Sequence, residues 1–150
     1  MRGRGLTAMA FDNEQLTEKV IGLAIEVHRQ LGPGFLESAY EECLCYELVQ
    51  AKFVFQRQVA LPIVYKSVQL DCGYRLDLIV ENRLILELKT VERLMPIHEA
   101  QVITYMRLSG IPTGLLLNFN SVVLKHGIRR LMLPSRTEAR DLTVSPSHCD

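Results

Sequence analysis

The stretch YRLDLIVENRLILELKT, Tyr74 to Thr90, decides how this chain folds. It has two apolar arms around a polar break, yet Asp77, Glu87 and Lys89 interrupt the arms. Side chains alternate faces along a strand. Leu76, Leu78 and Val80 therefore share one face of the first arm, and Asp77 and Ile79 the other. On the second arm Leu84, Leu86 and Leu88 share a face, and Ile85, Glu87 and Lys89 lie opposite. Bringing the leucine faces together requires even-numbered residues to pair with even-numbered ones. A two-residue turn at Glu81-Asn82 would pair Val80 with Arg83 and split the charges across the sheet. A three-residue loop, or a bulge, keeps Asp77, Glu87 and Lys89 on one face, and Asn82 tolerates the left-handed backbone such loops often need. The apolar pattern and the charge cluster demand the same register.

Two carboxylates brought close repel each other unless positive charge sits between them. Lys89 neutralises them in part, and a divalent cation would do more. Hard oxygen donors suit Mg²⁺ or Mn²⁺, which keep several waters that a substrate can replace. By spacing alone, the alternative is a solvated cross-strand salt-bridge cluster, worth about 0.2–1 kcal/mol per pair.

Outward from this hairpin the chain reads as one domain over residues 11–134, with loose tails at 1–10 and 135–150. In NEQLTEKVIGLAIEVHRQLG, residues 13–32, Leu16, Val20, Leu23, Val27 and Leu31 recur at helical spacing, with Asn13 as the expected cap. Gly32-Pro33-Gly34 stops that helix. A second helix is expected from Leu36 to Ala51, turning Ala39, Cys43, Leu44 and Leu48 inward. Residues 53–70 switch to strand patterning, and Pro62 implies an edge or bulge. PIHEAQVITYMRLSG, residues 96–110, is a helix with proline in its first turn and glycine at its end. TGLLLNFN and GIRRLML supply two further strands. The expected order is α-α-β-β-β-β-α-β-β.

With 150 residues, the chain is long enough for one domain with a real core. Its net charge is zero, so no broad basic surface draws it to nucleic acid; such contact would need a local patch or a bound metal. Cys43, Cys45, Cys72 and Cys149 show neither zinc-site spacing nor a disulfide framework and are expected as reduced thiols. Every apolar run is broken by charge well short of a membrane span, which points to the cytoplasm.

Asp77, nine intervening residues, and then Glu87-Leu88-Lys89 resembles the core motif of the PD-(D/E)XK nuclease superfamily. Upstream, Gly34-x-x-Glu37-x-x-Tyr40 is similar to the signature of the GxxExxY protein family, a branch of that superfamily. The flanking blocks AIEVHRQLGPGFLESAYEECL and HEAQVITYMRLSGIPTGLLLNFN look like the same family. One departure is that Tyr74-Arg75-Leu76 stands where the motif has a proline before Asp77.

The resemblance implies a restriction-endonuclease-like α/β fold, with a mixed central sheet flanked by helices. It implies a metal-dependent nuclease that hydrolyses phosphodiester bonds in nucleic acid, DNA rather than RNA, with Mg²⁺ or Mn²⁺. Asp77, Glu87 and the Leu88 carbonyl would hold the metal, and Glu37 would add a further carboxylate. Lys89 would orient the attacking water or stabilise the transition state. Gln101 and Tyr105, one helical turn apart, match a Gln-x-x-x-Tyr element that lines the site in exonuclease-like members. A homodimer would extend the small footprint of the chain on a duplex. Two rivals stand beside this reading: a catalytically silent binding or scaffold module, and a hydrolase of small phosphorylated substrates in an enclosed pocket. Outside the site, Tyr40 is expected to pack its helix on the sheet, and Glu41-Glu42 to form a wet helix face. The run Lys125, His126, Arg129 and Arg130 serves either solubility or a phosphate contact.

Overall fold

The computed structural model describes residues 11–134. The expected tails, and Cys149 with them, lie outside the described residues. Helix α1 (Asn13–Leu31) is capped by Asp12 rather than Asn13. The Gln15 backbone N–H donates to Asp12 Oδ1 at 2.7 Å, and the Asp12 N–H donates back to Gln15 Oε1 at 3.0 Å. This reciprocal capping box satisfies two otherwise orphaned donors, which Asn13 could not do from inside the helix. Helix α2 (Glu37–Gln50) follows the Gly-Pro-Gly break. Strands β1 (Phe55–Ala60), β2 (Ile63–Tyr65), β3 (Val68–Leu70), β4 (Arg75–Val80) and β5 (Leu84–Lys89) come next. Helix α3 (Pro96–Ser109), β6 (Thr113–Asn118), a 3₁₀ turn (Leu124–Gly127) and β7 (Ile128–Met132) complete the order.

Five strands thus precede α3, where the sequence order has four. The extra element arises because Lys66 and Ser67 both adopt left-handed backbone, with φ of +48° and +70°. That turn folds Ile63–Leu70 back on itself as a separate two-stranded hairpin. Pro62 stands between β1 and this hairpin, as its missing N–H requires.

The main sheet runs β1-β4-β5-β6-β7. Only β5 and β6 are parallel, joined by the α3 crossover, so the sheet is mixed as expected. Leu78 faces Leu86, Ile79 faces Ile85 and Val80 faces Leu84. A three-residue loop therefore joins β4 to β5, with Glu81 and Asn82 both at φ +53°. This is the even-to-even register that the leucine pattern demanded.

Both faces of the sheet are buried. Leu78, Val80, Leu84, Leu86 and Leu88 pack against Leu16, Val20, Leu44 and Leu48 of α1 and α2. On the other face Ile79, Ile85 and Leu116 pack against Val102 and Met106 of α3, and Leu76 joins them rather than Leu78 and Val80 as the alternation predicts, because β1 and β4 lose their regular pairing at Gln58 and Asp77. Each fully buried leucine contributes about 1.5–3 kcal/mol. The inward face of α2 is rotated from the expected one: Tyr40, Glu41, Leu44, Cys45 and Leu48 are buried, while Ala39 and Cys43 are half-buried. Tyr40 governs this rotation. Its ring stacks on Phe119 at 4.6 Å between centroids, as a large aromatic does when it finds a flat partner. Cys43, Cys45 and Cys72 are free thiols. No helix among the described residues is long and apolar enough to cross a membrane.

Candidate active site

The β4–β5 ladder stops where the charges begin. Backbone pairing ends at Leu78 and Leu86, while β5 stays paired with β6 as far as Lys89 opposite Asn118. On the other side β4 stays paired with β1 down to Arg75 opposite Ala60. The sheet therefore splits at Asp77 and Glu87, and side chains take over from backbone partners. The Asp77 N–H donates to Glu87 Oε1 at 2.9 Å, and the Leu88 N–H donates to Asp77 Oδ2 at 2.9 Å. Each carboxylate thus satisfies a backbone donor that the missing ladder would otherwise leave orphaned.

These exchanges bring the two acids together where the β4–β5 ladder ends, and both carboxyls are raised. Glu87 is only 4% exposed. Burial, reinforced by the charge of Asp77, pushes its carboxyl up to about 8. Burial also holds Asp77 above the ordinary range, against the opposing pull of the Leu88 N–H, while Glu41 pushes it further up. Glu37 opens α2 near enough to feel the charges of Asp77 and Lys89. Its side chain is exposed to solvent, yet partial desolvation and the charge of Asp77 still raise its carboxyl. Tyr105 of α3 is half-buried, and burial, Glu87 and Asp77 all raise its phenol. It meets Tyr74 edge-on, with ring centroids 6.5 Å apart. Gln101, one turn earlier, is exposed and makes no hydrogen bond to a site residue.

Lys89 is half-buried on the same face, and it is among the charges that act on Glu37, Asp77 and Glu87. Among the described residues it forms no ion pair within 4.0 Å with any of them. The charges are therefore not a closed cross-strand salt-bridge cluster. The excess is negative, and burial has raised the free energy of keeping it ionised.

The Gly34-x-x-Glu37-x-x-Tyr40 spacing has a local cause. Gly34 has φ +109°, a conformation that side chains other than hydrogen rarely tolerate. Its turn lets α2 start directly with Glu37. One turn later the Tyr40 hydroxyl donates to the Gly32 carbonyl and accepts from the Phe35 N–H. Tyr40 thus packs the helix on the sheet, as expected, and pins the loop that carries Glu37.

Three participants escaped the sequence reading. Glu41 is 8% exposed rather than part of a wet face. Arg57 binds both Glu41 and Glu42 at 2.8 Å. Gln58 donates to Glu41 Oε1 at 2.7 Å and to Asp77 Oδ1 at 3.3 Å. Glu41 lies four residues after Glu37 and so on its helix face, a signal that the sequence did carry. Nothing in the sequence marked Gln58. The basic run near the end is already occupied in part, since Arg130 pairs with Glu18 and Arg129 approaches Glu99 at 4.0 Å.

Among the described residues, no three Asp, Glu, His or Cys side chains converge as a closed metal cage. Mg²⁺ is seldom held by such a cage; one or two carboxylates suffice, with waters and substrate phosphate completing the shell. Asp77 and Glu87, both raised by burial, Glu87 also by the charge of Asp77 and Asp77 by that of Glu41, with the Leu88 carbonyl alongside, are a hard-oxygen set that suits such an ion.

The chain belongs to the PD-(D/E)XK nuclease superfamily, whose family model matches residues 14–131. The match spans every element from α1 to β7 and includes the split between β4 and β5. This superfamily generally hydrolyses phosphodiester bonds, typically with divalent metals, so the substrate class is nucleic acid. Searches of the curated proteins and of the solved structures gave no match.

Proposed function

We propose that this protein is a Mg²⁺- or Mn²⁺-dependent nuclease that acts on DNA in preference to RNA, and that it falls in the GxxExxY branch of the superfamily. The observation that carries the reading is the split sheet. It gathers Asp77 and Glu87 at raised pKa beside a lysine that pairs with no carboxylate among the described residues. The chemistry supplied by a bound divalent ion is Lewis-acid stabilisation of phosphate charge and acidification of water. Asp77, Glu87 and the Leu88 carbonyl would hold it, and Glu37 would add a further carboxylate. Lys89 donates to a phosphate oxygen or orients the attacking water. Among the described residues no carboxylate pairs with it within 4.0 Å, which leaves its ammonium available for that task. Gln101 and Tyr105 line the α3 side, where the phenol donates to phosphate; its raised pKa keeps it protonated.

Glu37 and Gln101 are exposed, which supports an open site that a polymer strand can enter rather than a pocket for a small phosphorylated molecule. That Lys89 forms no ion pair among the described residues speaks against a purely structural charge cluster in a silent scaffold. We further place the protein in the cytoplasm and pair two copies on a duplex, an assembly that light scattering tests. The deciding experiment is Mn²⁺ and Mg²⁺ calorimetry on wild type and on an Asp77→Ala, Glu87→Ala double variant, with a nuclease assay on the same preparations. Metal binding lost in the variant, together with metal-dependent cleavage by wild type, is the expected result. Neither binding nor cleavage in wild type would leave only the scaffold reading.

A further inference from the structure

Strand β1 contains a residue that should not be there. Gln58 has φ +49° in the middle of a strand, a conformation that costs any residue with a Cβ. Its neighbours keep regular register, Arg57 opposite Leu78 and Val59 opposite Leu76, but Gln58 drops out of the ladder opposite Asp77. In a regular strand, consecutive side chains point to opposite faces. Here Arg57 and Gln58 both reach Glu41 of α2, Arg57 to Oε2 at 2.8 Å and Gln58 to Oε1 at 2.7 Å. The left-handed backbone breaks the alternation and lets one amide bridge the two faces. The same Gln58 nitrogen also donates to Asp77 Oδ1 at 3.3 Å. With the Leu88 N–H on Oδ2, both oxygens of Asp77 are held.

We propose that Gln58 is a positioning residue for the metal-binding carboxylate Asp77, and that β1 keeps a strained backbone to place it. Glu41 is the anchor: buried and clamped by Arg57, it fixes the Gln58 amide from the α2 side, so the orientation of Asp77 is set by helix and strand together. The inference rests on the metal-site reading above. It adds that strain and site are linked, as expected where an unfavourable conformation persists at a functional position.

The linkage separates this role from a merely structural one. Glycine accepts φ +49° without steric cost, so Gln58→Gly should relieve the strain while deleting the amide. In EDTA its Tm should exceed that of Gln58→Ala, which deletes the same amide but keeps the strain, by about 2–4 °C. Its Mn²⁺ Kd should nevertheless rise about 10-fold or more, the usual effect of losing a residue that orients a ligand. Gln56→Gly, two residues earlier at an ordinary strand position, is the control: it should lower Tm and leave the Mn²⁺ Kd unchanged. Calorimetry with Mn²⁺ alone and thermal melts in EDTA read both quantities. An unchanged Kd in Gln58→Gly beside a wild type that binds Mn²⁺ would overturn the proposal and spare the metal site. A Tm for Gln58→Gly no higher than that of Gln58→Ala would also overturn it, because strain would then not be stored there. A wild type that binds no Mn²⁺ would remove the metal-site reading, and this proposal with it.

Discussion

Glu87→Gln tests the central claim that the split sheet holds negative charge at a free-energy cost. Glu87 is almost fully buried, and its carboxyl titrates near 8 rather than at the ordinary 4.5. The folded state therefore keeps a proton that the unfolded chain has already released. Stability is greatest below about 4.5, falls as pH rises through that window, and levels off above about 8. At about 1.4 kcal/mol per pKa unit, the gap sets a ceiling of roughly 5 kcal/mol for the loss. Part of that ceiling belongs to Asp77, whose charge shares in raising Glu87. Glutamine keeps the Oε1 acceptor for the Asp77 N–H and never ionises. Urea denaturation in EDTA from pH 4.5 to 9 should show wild type losing stability with rising pH and the variant losing clearly less. At pH 9 the variant should be the more stable by at least about 1–2 kcal/mol; near pH 4.5 the two should nearly coincide. Mn²⁺ at pH 8 should stabilise wild type more than the variant. Parallel pH curves would refute the reasoning, because burial would then not be penalising the charge on Glu87. Asp77 is a poorer site for this test. Both its oxygens accept hydrogen bonds, so asparagine would turn an NH₂ toward one of two donors.

Four other outcomes follow from the same geometry. Lys89→Ala should leave the fold intact by circular dichroism and lower metal-dependent cleavage about 100-fold or more, the scale of a lost electrostatic stabiliser; wild-type cleavage rates would sink its catalytic assignment. Tyr40→Phe removes a hydroxyl bonded to the Gly32 carbonyl and the Phe35 N–H, and should cost about 1–3 kcal/mol in denaturant titrations. Gly34→Ala should cost about 1–2 kcal/mol through its φ of +109° alone, since nothing lies within 4 Å of the added carbon; a neutral effect in the same titration would mean that the turn is not held there. Leu86→Ala, at the centre of the sheet, should cost about 2–5 kcal/mol, and a loss under 1 kcal/mol would contradict the burial described.

How much of this was legible beforehand differs by interaction range. The alternation of Leu78, Val80, Leu84, Leu86 and Leu88 determined the register of the hairpin by itself, because a one-residue slip would turn every leucine to the wrong face. The same parity predicts Asp77, Glu87 and Lys89 on one side, but it fails for Leu76, which packs toward α3 with Ile79 and Ile85. Helices α1 and α3 were readable from periodicity and end signals, although the Asp12 cap lay one residue before the expected one. The strand count was not readable, because Lys66-Ser67 carries no glycine to announce its left-handed turn. Nor was the rotation of α2, which depends on Tyr40 finding Phe119 far along the chain.

Tertiary structure alone decided that the β4–β5 ladder breaks beside the acids, that Lys89 stays free of them, and that Glu41, Arg57 and Gln58 join the site. Each of these depends on elements distant in sequence meeting at one point, and on how much water that meeting excludes. Residue type and spacing determine which face a side chain takes. Desolvation and long-range hydrogen bonds are properties of the packed whole, and they give the two carboxylates their altered chemistry.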